Sequence, residues 1–166
     1  MKRLDITSFR SLALMLAGDP IQAMESAKKI IGGKVNIDPA LLAEIASNKT
    51  YKKWSRIAAI YALGFVNYTP SAQELIRILG SRDEDSRLKD HAAEALGNMN
   101  EPRATAILAR ILRAKEKPHV KQSCIYALSQ IGGSRAHSAL KKFEATKPAG
   151  KIGMTLKQAL IKLNSR

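Results

Sequence analysis

Cysteine occurs once in the 166 residues, at Cys124, which excludes an intrachain disulfide and any multi-cysteine zinc module and fits a reducing compartment. Aromatic residues are only 5% of the chain, with a single Trp, so no large aromatic core is available. Acidic residues number 14 against 28 Lys and Arg. No run approaches the roughly 20 apolar residues that span a bilayer, so no integral membrane association is expected. Met1-Lys2-Arg3 followed by Leu12-Ala13-Leu14-Met15-Leu16-Ala17 has the basic start of a secretion signal, but Asp5 and Arg10 interrupt it and the apolar run is short. A cytoplasmic location is the expectation.

Familiar catalytic motifs are also missing. The chain has no His-Glu pair at metal-ligand spacing, no glycine-rich phosphate loop with a following Lys and no Ser-centred elbow. His91, His119 and His137 fall on three different positions of the period described next, so no ligand column forms. Neither a metal nor another cofactor is expected.

What the chain does have is a period. Tyr61-Ala62-Leu63-Gly64, Glu94-Ala95-Leu96-Gly97, Tyr126-Ala127-Leu128-Ser129 and Gln158-Ala159-Leu160-Ile161 carry one phrase at spacings of 33, 32 and 32 residues. A fixed period of this length marks stacked repeats, each burying its apolar face against its neighbours. Within a period, Leu88, Ala92, Ala95, Leu96 and Met99 form one helical stripe. Asn98, Asn100 and Pro102 break it, and Ala106, Ile107, Ala109, Ile111 and Leu112 begin a second. Val120, Cys124, Ala127, Leu128 and Ile131 repeat the plan, stop at Gly132-Gly133 and restart through Ala136, Leu140 and Phe143. Upstream, Ile57, Ile60, Ala62, Leu63 and Val66 lead through Thr69-Pro70 into Leu75, Ile76 and Leu79. The expected fold is all-α, an α-solenoid of stacked antiparallel helix pairs with about five units. Residues 1–50 read as degenerate first repeats, 51–147 as well-matched repeats and 148–166 as a C-terminal capping helix of one domain. Ile31-Gly32-Gly33 echoes Ile131-Gly132-Gly133, but Lys28 then falls where Leu128 sits, which leaves either a slipped register or a degenerate cap. The column of Ala59, Ala92, Cys124 and Leu156 makes Cys124 a buried structural thiol.

The run from Asp85 to Ala104, including His91-Ala92-Ala93-Glu94-Ala95-Leu96-Gly97-Asn98 and Glu101-Pro102-Arg103-Ala104, resembles a HEAT repeat of the short kind first recognised in phycobilisome lyases. The likeness covers about residues 50–145. It implies a right-handed curved stack with the Ala-Leu-Gly helices on the concave side, and a family made up mostly of binding scaffolds. It also implies that Arg56, Lys89 and Lys121, in the basic column at the start of these helices, tie neighbouring repeats together.

Charge is unevenly placed. Residues 101–166 hold 14 basic and 3 acidic residues, whereas the first 100 are nearly balanced. Arg77, Arg110 and Lys142 share one column and Arg103 and Arg135 another. Residues seven apart on a helix share a face, so Arg103 with Arg110, and Arg135 with Lys142, form rungs about 10 Å long that could bridge phosphates. The competing reading makes these the solvated faces of outer helices. Lys115, Lys117, Lys121, Lys141, Lys142, Lys147 and Lys151, with the C-terminal Lys157, Lys162 and Arg166, are expected to form a basic edge for an anionic partner. Trp54, Tyr61, Arg87, His119 and Tyr126 are the candidates for the groove. Together these features point to a non-catalytic scaffold or adaptor, not an enzyme, whose partner is another protein with an acidic face. Direct, phosphate-directed binding of DNA or RNA is the alternative. The resemblance adds a lesser one, an enzyme of the bilin-lyase or DNA-glycosylase kind, for which Asp90, Glu94 and Trp54 are the nearest approach to a site.

Overall fold

A computed structural model describes residues 4–6 and 9–165, with side chains from residue 10 onward. Met1-Lys2-Arg3 of the considered signal and Arg166 of the basic edge lie outside the described residues. Ten α-helices occur among the described residues: α1 (Phe9–Met15), α2 (Pro20–Ile31), α3 (Pro39–Ser47), α4 (Lys53–Val66), α5 (Ala72–Gly80), α6 (Ser86–Asn98), α7 (Thr105–Arg113), α8 (Pro118–Ile131), α9 (Gly133–Glu144) and α10 (Gly150–Asn164). Their even-numbered members pack side by side, α2 on α4, α4 on α6, α6 on α8 and α8 on α10, while α3, α5, α7 and α9 form a second layer against them. Both layers share one continuous core.

Local chemistry explains where the helices begin and end. Asp19 Oδ1 accepts from the N–H groups of Ile21 and Gln22 at 2.8 and 2.9 Å, Asp38 accepts from Ala40 at 2.9 Å, and Asp85 accepts from Arg87 at 2.8 Å, which satisfies amides that have no partner in a first turn. After α4, α6 and α8 the backbone turns left-handed at Asn67, Asn100 and Gly132, with φ of 53, 50 and 68°. Only glycine, and asparagine at modest cost, adopts that conformation readily. Pro70 and Pro102 then sit in short 3-10 turns, Thr69–Ser71 and Pro102–Ala104, that lead into α5 and α7.

The Ala-Leu-Gly phrase has a packing reason. A Cβ added to Gly64 would lie 2.7 Å from Ala95 Cα, and one added to Gly97 would lie 2.7 Å from Ala127 Cα. Each glycine therefore receives the alanine of the next copy of the phrase, and the backbones of adjacent even-numbered helices nearly touch. In the third copy the position is Ser129, buried, with its hydroxyl donating to Tyr126 O at 2.7 Å.

At the N-terminal end, α2 takes its place in the first layer with Ala23, Ala27 and Ile30 buried and Lys28 exposed. Counted back 33 residues from Ala62, the alanine of the phrase would fall on Lys29, which is exposed, so the strict period does not reach α2. The sequence reading contained no strand here. In the structure Leu4–Ile6 (β1) pairs in parallel with Val35–Ile37 (β2), Leu4 opposite Val35 and Ile6 opposite Ile37, fastening the chain before α1 to the loop after α2. No helix among the described residues is long and apolar enough to cross a membrane.

Candidate functional site

The basic column at the start of the first-layer helices ties repeats together. Arg56 donates two parallel hydrogen bonds to Glu84, Nη1 to Oε1 at 3.1 Å and Nη2 to Oε2 at 2.8 Å, and Nε donates to Ala46 O at 2.9 Å. One side chain thereby joins α3, α4 and the turn before α6. The bonds from Arg56 hold the Glu84 carboxyl below the usual carboxylate range, against the upward pull of burial. Lys89 repeats the arrangement with Glu116 at 2.9 Å. Glu84 and Glu116 are themselves one period apart, and one period further stands Pro148. Lys121 therefore finds no carboxylate within ion-pair distance among the described residues, and its Nζ lies 5.8 Å from the centre of the Phe143 ring.

The outward side of α4, α6 and α8 carries the groove candidates. Trp54 is half-buried against the core, and the Arg87 guanidinium lies 5.2 Å from its ring centre with Lys53 Nζ at 5.7 Å. Trp54 and Arg87, one period apart, are thus brought together. His119, the next in that column, keeps a buried Nε2 that has no hydrogen-bond partner among the described residues. Tyr61 packs at 4.9 Å between ring centres on Phe65 and meets His91 edge-on at 6.4 Å. Tyr126 donates to Asn98 Oδ1 at 2.9 Å, and its ring stays 39% exposed. Phe65, 50% exposed, completes an aromatic strip beside Asn98 and Gln130, around an open depression of ≈ 320 Å³ that also touches Tyr126.

Asp90 and Glu94, which with Trp54 were the nearest approach to an enzyme site, have their hydrogen-bond partners elsewhere. They meet Ser123 of α8: its Oγ donates to Asp90 Oδ1 at 2.5 Å and lies 3.5 Å from Glu94 Oε1, while Glu94 Oε2 is 3.4 Å from His91 Nδ1. Phe65, Asn98, Gln130 and Ser123 were not among the site candidates of the sequence, where Asn98 entered only as a helix break. The first three share one column, and Phe65 stands four residues from Tyr61, so the period itself carried the signal.

The proposed basic edge is divided by the structure. Lys115, Lys117, Lys147 and Lys151 are exposed in or beside the turns flanking α8 and α10. Lys141 pairs with Glu144 at 3.0 Å, Lys121 lies over Phe143, and the exposed Lys142 lines a groove of the second layer with Arg135. Successive residues on a helix differ by about 100° in direction, so neighbouring lysines of α9 serve different surfaces. Of the outer columns, Arg77 is held by Glu74 with Nε to Oε2 at 2.9 Å. Arg103, Arg135 and Lys142 gather around one groove together with Arg113, whereas Arg110 lies by Gly80 and Lys115 in another. Cys124 is fully buried, and burial pushes its thiol well above the usual range, with Asp90 and Glu116 adding to the shift. Among the described residues no three His, Cys, Asp or Glu side chains gather closely enough to hold a metal ion.

Known proteins resemble this chain in sequence or in fold. Deoxyhypusine hydroxylase-B of Oryza sativa subsp. japonica is 30% identical over 104 residues, 63% of this chain and 34% of that protein, so the chain spans about a third of its relative's length. A chain from the complex of CpcE and CpcF of phycocyanin lyase from Nostoc sp. PCC7120 has the same fold, with a TM-score of 0.73 at 18% identity over 91% of this chain and 96% of that one. Human deoxyhypusine hydroxylase in complex with glycerol gives a TM-score of 0.67 at 19% identity over 95% of this chain and 62% of that one.

These relatives correct the expectation that the chain is not an enzyme, because the names they carry are those of a hydroxylase and a lyase. Absence of a contiguous motif does not exclude a site whose side chains come from several helices of the stack. A family model described as HEAT repeats matches residues 39–129 and again 80–161, most of the stack described above, and the chain belongs to the HEAT-repeat family.

Proposed function

We propose that this chain is a protein-binding HEAT-repeat module whose contact surface is the outward side of α4, α6 and α8. The observation that carries this reading is the aromatic strip of Tyr61, Phe65 and Tyr126, whose last two rings are 50% and 39% exposed although the chain has only eight aromatic residues. Exposed rings on rigid helices make strong anchors, since they bury much area and lose little conformational freedom on binding. Asn98, whose Oδ1 accepts from Tyr126, and Gln130, whose Oε1 accepts from Lys162 at 2.7 Å, fix the floor beside them, and Arg87 over Trp54 places a cation at one end of the strip for an acidic rim. A structural neighbour that is itself part of a two-chain complex supports the same reading.

The test is affinity capture from nuclease-treated extract with the wild-type chain, the double variant F65S/Y126S and the groove variant R135Q/K142Q, all checked for unchanged circular dichroism. Proteins retained by the wild type and R135Q/K142Q but lost with F65S/Y126S are the expected result. Identical recovery by all three chains overturns the proposal.

A second reading, in which the same surface also does chemistry, takes support from the enzyme names of the relatives and from the grouping of Asp90, His91, Glu94 and Ser123 beside the strip. Here D90N would leave partner capture intact and remove a covalent change in the mass of the captured protein. No difference in mass between partner exposed to wild type and to D90N refutes it.

A further inference from the structure

The second layer has a concavity that the aromatic strip does not use. Between α7 and α9 lies a groove of ≈ 640 Å³ lined by Arg103, Arg113, Arg135 and Lys142, with no carboxylate among its lining residues. That volume is within the range typical of small-ligand sites, about 300–1,000 Å³. Four cations around one hollow repel each other and focus a positive potential into it.

Their existing partners do little to offset this. Arg135 and Lys142 have no hydrogen-bond or ion-pair partner among the described residues. Arg113 reaches only Ala109 O of its own helix, at 3.4 Å. Arg103 is held by Glu101, Nε to Oε1 at 2.8 Å and Nη2 to Oε2 at 2.7 Å, which fixes the fork while 59% of the side chain stays exposed and Nη1 remains uncommitted. Among the described residues, Glu101 is the acid in contact with this set.

The corresponding groove nearer the N-terminus has the opposite character. Between α3 and α5 the hollow is lined by Glu44 and Glu74 and by no cation. There Glu74 neutralises Arg77 from three residues away, whereas three residues before Lys142 stands Ala139. A generic solvated face would not pair its charge in one groove and leave it bare in another. The groove also contains the start of α9, whose N-cap is Gly132 and whose first turn no side chain caps. Ser134 and Arg135 of that turn line the hollow. Amide groups without partners and the helix dipole both favour an anion there. Ala106, Ala109 and Ala139 supply a smooth apolar wall between the charges.

The geometry points to the groove between α7 and α9 as a site for a small organic diphosphate. Arg103, Arg113, Arg135 and Lys142 contact its phosphates, the amides at the start of α9 add donors, and the organic part lies on the alanine wall. Arg135 and Lys142 stand two turns apart on α9, about 10 Å at a rise of about 1.5 Å per residue, a span that two long side chains can close from either end onto the joined phosphates of one diphosphate. This site is independent of the aromatic strip and of the protein-binding role.

Titration calorimetry of the full chain at low salt tests it, with inorganic pyrophosphate, ADP and inorganic sulfate as probes. Saturable one-to-one binding of ADP and pyrophosphate, tighter for ADP and absent for sulfate, is the expected result. R135Q/K142Q should weaken it by roughly tenfold or more, while R77Q, whose native cation is already paired, should leave it within about twofold. Absence of saturable binding overturns the inference, as does equal affinity in R135Q/K142Q. A single-stranded oligonucleotide that displaces ADP at equal phosphate concentration and binds more tightly also overturns it, in favour of a nucleic-acid surface.

Discussion

Substituting Gly97 with alanine separates two forces of opposite sign. In a helix interior, Gly→Ala by itself stabilises by roughly 0.8–1.0 kcal/mol, because alanine loses less backbone freedom on folding. In this stack the new methyl would lie 2.7 Å from Ala127 Cα and 3.0 Å from Ala127 Cβ. Carbon atoms settle at about 3.5–4.0 Å, so α6 and α8 would have to separate by several tenths of an ångström or more. Neither helix is free to do so, since α6 also packs on α4 and α5, and α8 on α7 and α10. Overpacking of this kind costs typically 1–3 kcal/mol. The expected net effect of G97A is destabilisation by about 1 kcal/mol, with G64A behaving alike against Ala95. Urea unfolding followed by circular dichroism measures it, and a shift of this size lowers Tm by about 2–4 °C for a chain of this length. S129A is the internal control: that position already holds a side chain, so no new atom is forced between the helices, the bond to Tyr126 O is lost, and the change should stay within about 1 kcal/mol. A G97A protein as stable as the wild type, or more so, would refute the close-approach account of the repeated phrase.

Removing the charge of Glu84 in E84Q strands Arg56, whose side chain is 6% exposed, and should cost about 3 kcal/mol in urea unfolding. Because the bonds from Arg56 hold the Glu84 carboxyl below the usual carboxylate range in the folded state, the pair's contribution is fully present above that range and is lost as pH falls through the lowered folded value. Stability measured from neutral pH downward should therefore fall in wild type and be flatter in E84Q, and parallel curves would refute the linkage. At Asn100, held at φ 50°, N100A should destabilise by about 1 kcal/mol while N100G is neutral or better, and equal stability of the two variants would show that the left-handed turn is unimportant.

The layers, the repeat length and the helix ends were legible in the sequence because each depends on chemistry within a few residues. Buried positions such as Leu88, Ala92, Ala95 and Leu96 follow helical periodicity, Asp38 and Asp85 cap helices from the adjacent residue, and Asn100 and Gly132 end helices one period apart at positive φ. A stack in which each unit meets only its neighbours repeats these rules, so four copies of a phrase are enough to recover the architecture. The pairing of Leu4–Ile6 with Val35–Ile37 escaped because each strand has three residues and the bond between them is not periodic. The fate of each charge escaped for a related reason. Lys89 and Lys121 occupy the same column, and what separates an ion pair from a cation over a ring is whether Glu116 or Pro148 stands in a turn some 27 residues further on. Lys141 and Lys142 are adjacent in the chain, yet one meets Glu144 and the other enters the groove with Arg135. Burial is decided by a residue's own helix and repeats faithfully. An electrostatic partner is decided by which side chains the packed layers bring within a few ångströms, and that depends on three-dimensional neighbours the period does not encode.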